Sequence, residues 1–435
     1  MLKIGDKKLI NAWAFYDWAN SVYSLVISTA VFPIYYAGLT TSEGFANADG
    51  KITFLGTLWN PTTLYNYALA FSFLVVAFLS PMLSGIADYS GNKKKFLKGF
   101  CLLGSLSVMC LFFFTGKDTL WVGIVFSILA SIGFWGSIVF YNAYLPEVAK
   151  PKQQDNASAK GFMLGYSGSI LLLILCLVLI ETEVFGFFDK QFGSQLSFVL
   201  VGLWWLGFAQ ITYAKLPDSK KVSLPKDNYF TKGIKEIKKV GKELFAYREL
   251  KIFLISFFLL SIGVQTIILM AGIFGTILGL ETLNLIGTIL LVQFVGILGA
   301  FLFSRLSNKI GNIKTLKITI VIWGLVCFIG FNLTKETPNI ELYFYILGGL
   351  IGLVMGAIQS LARSTYSKLL PKTEDTASYF SFFDVTEKIA LVIGMVTFGV
   401  LNSIISIQSS VLSLAVFFLA SFITISRMKK TEHVR

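Results

Sequence analysis

Long apolar runs recur along the whole chain, separated by short polar segments. A hydrocarbon core about 30 Å thick needs roughly 20 mostly apolar residues in a helix. Twelve runs meet that length: 10–38, 64–87, 96–116, 119–144, 159–181, 194–214, 251–279, 283–305, 315–334, 341–367, 379–402 and 407–427. They predict an all-α membrane protein of twelve transmembrane helices. Only two connections are long, 39–63 and 215–250. The second splits the spans six and six. The expected organisation is an N-terminal six-helix bundle (1–214), a basic cytoplasmic linker (215–250) and a C-terminal six-helix bundle (251–435). In the linker, Phe230, Ile234, Ile237, Val240 and Leu244 recur at helical spacing. That places one apolar stripe on a basic helix, a pattern suited to the anionic inner leaflet.

Basic residues set the orientation. With the N-terminus inside, the cytoplasmic segments hold 32 Lys and Arg, and the outer loops hold 4. Both termini are therefore expected in the cytoplasm, and the net charge of +13 is mostly a topology signal. Spread over seven inner segments, it makes a poor nucleic-acid surface. The first run carries Asp17 and Asn20, exceeds the length of a signal peptide's apolar region and lacks a clear cleavage site, so it reads as a retained helix.

Composition agrees with the bilayer reading. The chain is 55% hydrophobic but only 14% charged, with a mean hydropathy of +0.72. A water-exposed chain carries about a quarter charged residues. Cys101, Cys110, Cys176 and Cys327 sit singly in apolar runs, and the one histidine, His433, lies in the tail. Zinc needs clustered Cys or His ligands, so no metal site, cofactor or catalytic histidine is expected.

The two halves repeat. Gly85-Ile-Ala-Asp88-Tyr-Ser-Gly91-Asn-Lys93-Lys94-Lys95 follows span 2, and Arg305-Leu-Ser-Asn308-Lys309-Ile-Gly311 follows span 8. Asp155-Asn-Ala-Ser158 follows span 4, and Asp375-Thr-Ala-Ser378 follows span 10. Gly91 to Gly311 and Asp155 to Asp375 share one offset of 220 residues. Repeated halves of this kind are typical of secondary transporters that rock around a central site.

The Gly85–Lys95 segment resembles the signature loop between helices 2 and 3 of the major facilitator superfamily. Tyr16-Asp17-Trp18-Ala19-Asn20-Ser21, Asn142-Ala-Tyr-Leu-Pro146, Gly165-Tyr-Ser-Gly168 and Gln359-x-x-x-Arg363-Ser364 resemble its vacuole-effluxer-like branch. That resemblance implies two pseudo-symmetric six-helix bundles and transport of a small solute. Fungal members of the branch export amino acids from the vacuole. The second signature loop departs from the pattern, with Arg305 in place of Gly and Asn308 in place of Asp.

Ionisable groups inside spans are costly and mark pathways or partners. Trp13, Asp17, Asn20, Ser24 and Ser28 form one stripe on span 1, either a cavity wall or polar glue between helices. Asn142, Gln359, Arg363, Asp384 and Lys388 complete the expected substrate or ion pathway. Arg363 could clamp a carboxylate or snorkel to the interface. Asp384 and Lys388, four apart, could pair with each other. Asp17 is the favoured protonatable group, with Arg363 or Lys388 from the other half able to stabilise its ionised form. Gln265 and Gln293 are weaker cavity candidates, and Gly161 and Gly165 read as packing residues. Gly85, Asp88, Gly91, Lys93 and Lys94 form a gating motif, with Asp88 placed to cap the N-terminus of span 11.

The expected function is secondary active transport of a small polar solute, amino acids among the candidates and export the favoured direction, with protons as a candidate partner. The expected site is the bacterial cytoplasmic membrane. An ATP-driven pump lacks its phosphate-binding loop. The alternative is a non-transporting membrane enzyme or a lipid-handling scaffold, which would need catalytic groups clustered at one face.

Overall fold

In a computed structural model the chain is described over residues 2–42, 44–181, 189–218 and 229–428. His433 lies outside the described residues. Among the described residues, twelve helices are long and apolar enough to cross a bilayer. Spans 1 to 6 are Lys7–Thr40, Pro61–Ser90, Lys93–Phe113, Lys117–Val148, Pro151–Ile180 and Lys190–Lys215. Spans 7 to 12 are Arg248–Ile277, Leu283–Ile310, Asn312–Asn332, Ile340–Leu369, Thr376–Ile404 and Ile407–Ser426.

Spans 1–6 pack among themselves, and so do spans 7–12. The bundles meet through two related pairs, span 5 on span 8 and span 2 on span 11, with further contact from span 5 to span 10 and span 4 to span 11. This is the pairing that a two-fold relation between six-helix halves requires.

Local chemistry sets where the helices stop. Span 2 ends at Gly91, whose φ of 63° is a left-handed cap that a side chain would disfavour. Asp6 and Asp189 cap the starts of spans 1 and 6 through the amides of Lys8 and Phe192. The 39–63 connection contains a hairpin that the hydrophobic pattern does not predict. Strands β1 (Ile52–Phe54) and β2 (Thr57–Trp59) pair antiparallel, and Leu55 and Gly56 turn with positive φ.

The basic helix of the 215–250 connection spans Tyr229–Ala246. Its stripe differs from the expectation of a lipid-facing surface. Val240 and Leu244 are buried, and the helix packs on spans 2, 7 and 11. Polar contacts hold it there: Tyr379 donates to Glu243 at 2.9 Å, and Lys239 pairs with Asp375 at 3.1 Å. The ends of the bundles offer an apolar surface that competes with lipid for the same stripe. Ile234 stays exposed. The side chain of Phe230 lies outside the described residues.

Candidate functional site

The polar stripe of span 1 changes environment along its length. Trp13, Asp17 and Asn20 are buried, Ser24 is exposed and Ser28 half-buried. The change falls where the backbone leaves α-helical geometry, in a π-helical stretch over Tyr23–Val31. Such stretches are rare and mark functional segments. Hydropathy carries no signal for it.

Asp17 is joined to the opposite half. Its Oδ2 accepts from Tyr141 at 2.8 Å and from Arg363 Nη2 at 3.2 Å. The Arg363 guanidinium spends its remaining donors on the same half as Asp17. Nε donates to Ser158 Oγ at 2.8 Å, Nη2 to the Ser158 carbonyl at 2.9 Å and Nη1 to Asn142 Oδ1 at 3.2 Å. Phe162 and Trp13 lie against its faces, with Cζ 4.2 Å and 4.9 Å from the ring centres. Trp13 is itself fixed, stacked on Tyr141 at 4.7 Å and donating to its carbonyl at 2.9 Å. Planar geometry, five donors and aromatic faces are what guanidinium recognition uses.

Gly161 sits at the centre of this cluster. A Cβ there would fall on Asp17 Oδ2, and 2.9 Å from Arg363 Nη2. A Cβ on Gly165 would meet Ser21 and Asp17. The Gly-x-x-x-Gly spacing assigns both glycines to helix packing, and the space that they leave also admits the ion pair. No sequence pattern singles out Tyr141, Ser158 or Phe162. The available signals are indirect: Tyr141 adjoins Asn142, and Ser158 closes the repeated Asp155 segment.

One step toward the outer end, Tyr166 donates to Gln359 at 2.7 Å, again between halves. Asn20 is fully buried, and its Nδ2 has no partner among the described residues. Gln293 is half-buried in span 8.

Lys388 does not join Asp17. It pairs with Asp384 at 3.1 Å and lies 3.8 Å from Glu387. Gln265 donates to Glu387.

The gating residues also bridge the halves. Asp88 accepts from the backbone amides of Ala377 at 3.2 Å and Ser378 at 2.7 Å, so it caps span 11. Lys93 is buried among Asp88, Glu147 and the Thr376 hydroxyl, the last at 2.9 Å. Lys94 holds the Leu216 carbonyl and Asp218. Its hydrogen bond and charge lower the Asp218 carboxyl below its ordinary range. Gly85 is buried in span 2, and Gly91 provides the turn. The related contact lies on the other side of the pseudo-axis. Asp155 accepts from Ser307 at 3.0 Å and Asn312 at 2.8 Å and pairs with Lys368 at 2.6 Å, while Asn308 donates to Asn156 at 2.9 Å. Asn308 thus keeps a polar contact in place of the charged cap that Asp88 makes. Together these groups close the basic end of the interface.

Comparison with known proteins assigns the architecture. Residues 5–433 match the family described as Vacuole effluxer Atg22 like. The chain belongs to this family. It is 31% identical over 420 residues to the uncharacterized MFS-type transporter YxiO of Bacillus subtilis (strain 168), covering 96% of this chain and 94% of that protein. It is 25% identical to Autophagy-related protein 22 of Coccidioides immitis (strain RS), covering 91% and 82%. Among solved structures, the proton:xylose symporter XylE aligns with TM-score 0.73 at 13% identity, over 97% of this chain and 94% of that one. FucP in its outward conformation aligns with TM-score 0.63 at 13% identity, covering 98% of each chain. These likenesses establish a member of the Atg22-like family with the twelve-helix major facilitator fold.

Proposed function

We propose that this Atg22-like protein is a secondary transporter of a small zwitterionic solute, with amino acids as the candidate class and export as the favoured direction. The observation that carries the reading is the Asp17–Arg363 pair, formed between halves, with Ser24 of the same polar stripe exposed farther along span 1. A zwitterion presents an ammonium and a carboxylate. When the halves part, those groups can replace the partner that each side chain loses: carboxylate on the Arg363 fork, ammonium on Asp17. Buried charges must be paired to be tolerated, so an empty opened site is disfavoured relative to a loaded one. That difference in interaction energy is what a solute needs in order to bias a two-state equilibrium.

The described arrangement corresponds to closure on the basic side. With Lys and Arg retained inside, that side and both termini are cytoplasmic. The bacterial relative supports placement in a cytoplasmic membrane, and the family name supports efflux. The test is uptake by proteoliposomes of a panel of labelled amino acids, sugars and carboxylates. The reading expects saturable flux of amino acids. Flux of a solute lacking either charge, with none of any amino acid, would refute it.

A further inference from the structure

Span 11 carries a second buried charge cluster that the Asp17–Arg363 site does not use. Asp384 is 3% exposed and Lys388 3%, and Glu387 is half-buried beside them. Glu387 lies eleven residues into the span, about 17 Å from its basic end by the helical rise. The cluster is unbalanced. Asp17 and Arg363 cancel, but here two carboxylates face one ammonium. Asp384 Oδ1 takes Lys388, while Asp384 Oδ2 is buried with no hydrogen-bond partner among the described residues. Glu387 is held by the Gln265 amide, which brings no charge.

Among the described residues, neighbouring elements supply no second cation. Span 7 contributes Gln265, and its charged residues Arg248, Glu249 and Lys251 lie at its basic end. Span 2 presents Asp88 and Tyr89 at that same end, and span 12 has no charged residue between Ile407 and Ser426. The helix Tyr229–Ala246 reaches only the basic end of span 11, through Lys239 on Asp375 and Glu243 on Tyr379. Span 4 offers an aromatic face: the Lys388 ammonium lies 3.3 Å from the centre of the Trp135 ring. That contact crosses between the halves.

We propose that Asp384, Glu387 and Lys388 form a proton-binding site that takes up one proton between the two carboxyls. A buried cluster with net negative charge is relieved by protonation, and two interacting carboxyls titrate as a pair. The proton adds to a carboxylate oxygen; no bond breaks and no second reactant is needed. With one proton bound, a neutral set remains, and Lys388 rests on Trp135 of the opposite half. Without it, the anionic cluster holds the ammonium more strongly, at the expense of the cation–π contact. Proton binding therefore favours the arrangement in which the halves meet at Trp135. The inference builds on the transporter reading by supplying its coupling ion, and it assigns that role to span 11 in place of Asp17.

The test is proton uptake by the purified protein in detergent, read with an indicator dye in weak buffer, on acidification from about pH 8 to about pH 5. No solute is needed. The wild type should take up about one proton more than Glu387→Gln, and Asp384→Asn should show the same deficit. If a variant does not fold, the other carboxyl variant and Trp135→Phe remain. Trp135→Phe should keep the proton while its pH midpoint moves. Equal uptake by the wild type and both carboxyl variants overturns the proposal. So does a wild-type excess abolished by replacing choline chloride with sodium chloride, which would assign the site to sodium. Failure to transport amino acids with the proton difference intact would remove the proposed substrate and leave this site standing.

Discussion

Asp17 of span 1 and Arg363 of span 10 stand 3.2 Å apart across the interface between the two halves, both almost fully buried. They are 346 residues apart in sequence, and their contact joins the two bundles. The pair is therefore a sensor of closure. Its surroundings are built for it: Tyr141 bonds Asp17, Ser158 and Asn142 bond Arg363, and Gly161 leaves the room.

Gly161→Ala should disturb closure without affecting insertion. The added methyl falls where Asp17 Oδ2 lies, and both partners are pinned by other hydrogen bonds. Overpacking of this kind costs about 1–3 kcal/mol. Set against the closed state alone, it should move the equilibrium between open and closed forms by about 5–150-fold. Cross-linking of a cysteine pair at positions 156 and 308, whose native asparagine side chains meet at 2.9 Å between the halves, reports the closed population. It should fall sharply in Gly161→Ala, whereas unchanged cross-linking would mean that the cluster relaxes freely.

Asp88→Ala removes the acceptor for the first amides of span 11. A lost helix cap costs about 0.5–2 kcal/mol. It also leaves buried Lys93 with one carboxylate fewer. Both effects weaken the inter-half contact. A cysteine at Ser307, which bonds Asp155 across the related contact, should label faster from the cytoplasmic side in Asp88→Ala than in a background with Asp88 intact. Equal labelling rates would count against a gating role.

Much of this architecture is legible in the amino-acid sequence. The bilayer imposes a span length and a charge asymmetry, so twelve helices and their division follow from apolar runs and basic loops. The Asp88 contact is readable because two sequence segments recur at one offset and a carboxylate suits a helix N-terminus. The sequence does not choose between Arg363 and Lys388 as the partner of Asp17, since spacing along one helix says nothing about which face another bundle presents. The hairpin Ile52–Trp59 escapes a sequence reading because its turn is Leu55-Gly56, without the Asn-Gly or Asp-Gly signature. The stripe of the Tyr229–Ala246 helix is legible as a stripe, but lipid and protein present the same apolar surface to it. Nothing in composition marks the π-helical stretch Tyr23–Val31.

Orientation can be checked on single cysteines in a Cys-free background. Asp49 and Lys235 are both exposed, one in the connection that carries the hairpin and one in the basic helix. Asp49→Cys should react with a membrane-impermeant maleimide on intact cells, and Lys235→Cys only after lysis. Reaction of both on intact cells would contradict the twelve-span topology with basic loops inside.

The central claim is that Asp17 and Arg363 exchange each other for the two charges of the substrate. The most direct measurement is binding of an amino acid that the protein carries, compared with its N-acetyl and its carboxamide derivatives, to purified wild type and Asp17→Asn. Each derivative removes one charge and with it one charge-assisted hydrogen bond. The wild type should bind each about 10–100-fold more weakly than the parent amino acid. Asp17→Asn should lose most of its discrimination against the N-acetyl derivative, while still rejecting the carboxamide. If the wild type binds all three equally, or if Asp17→Asn discriminates as the wild type does, the exchange does not occur at this pair.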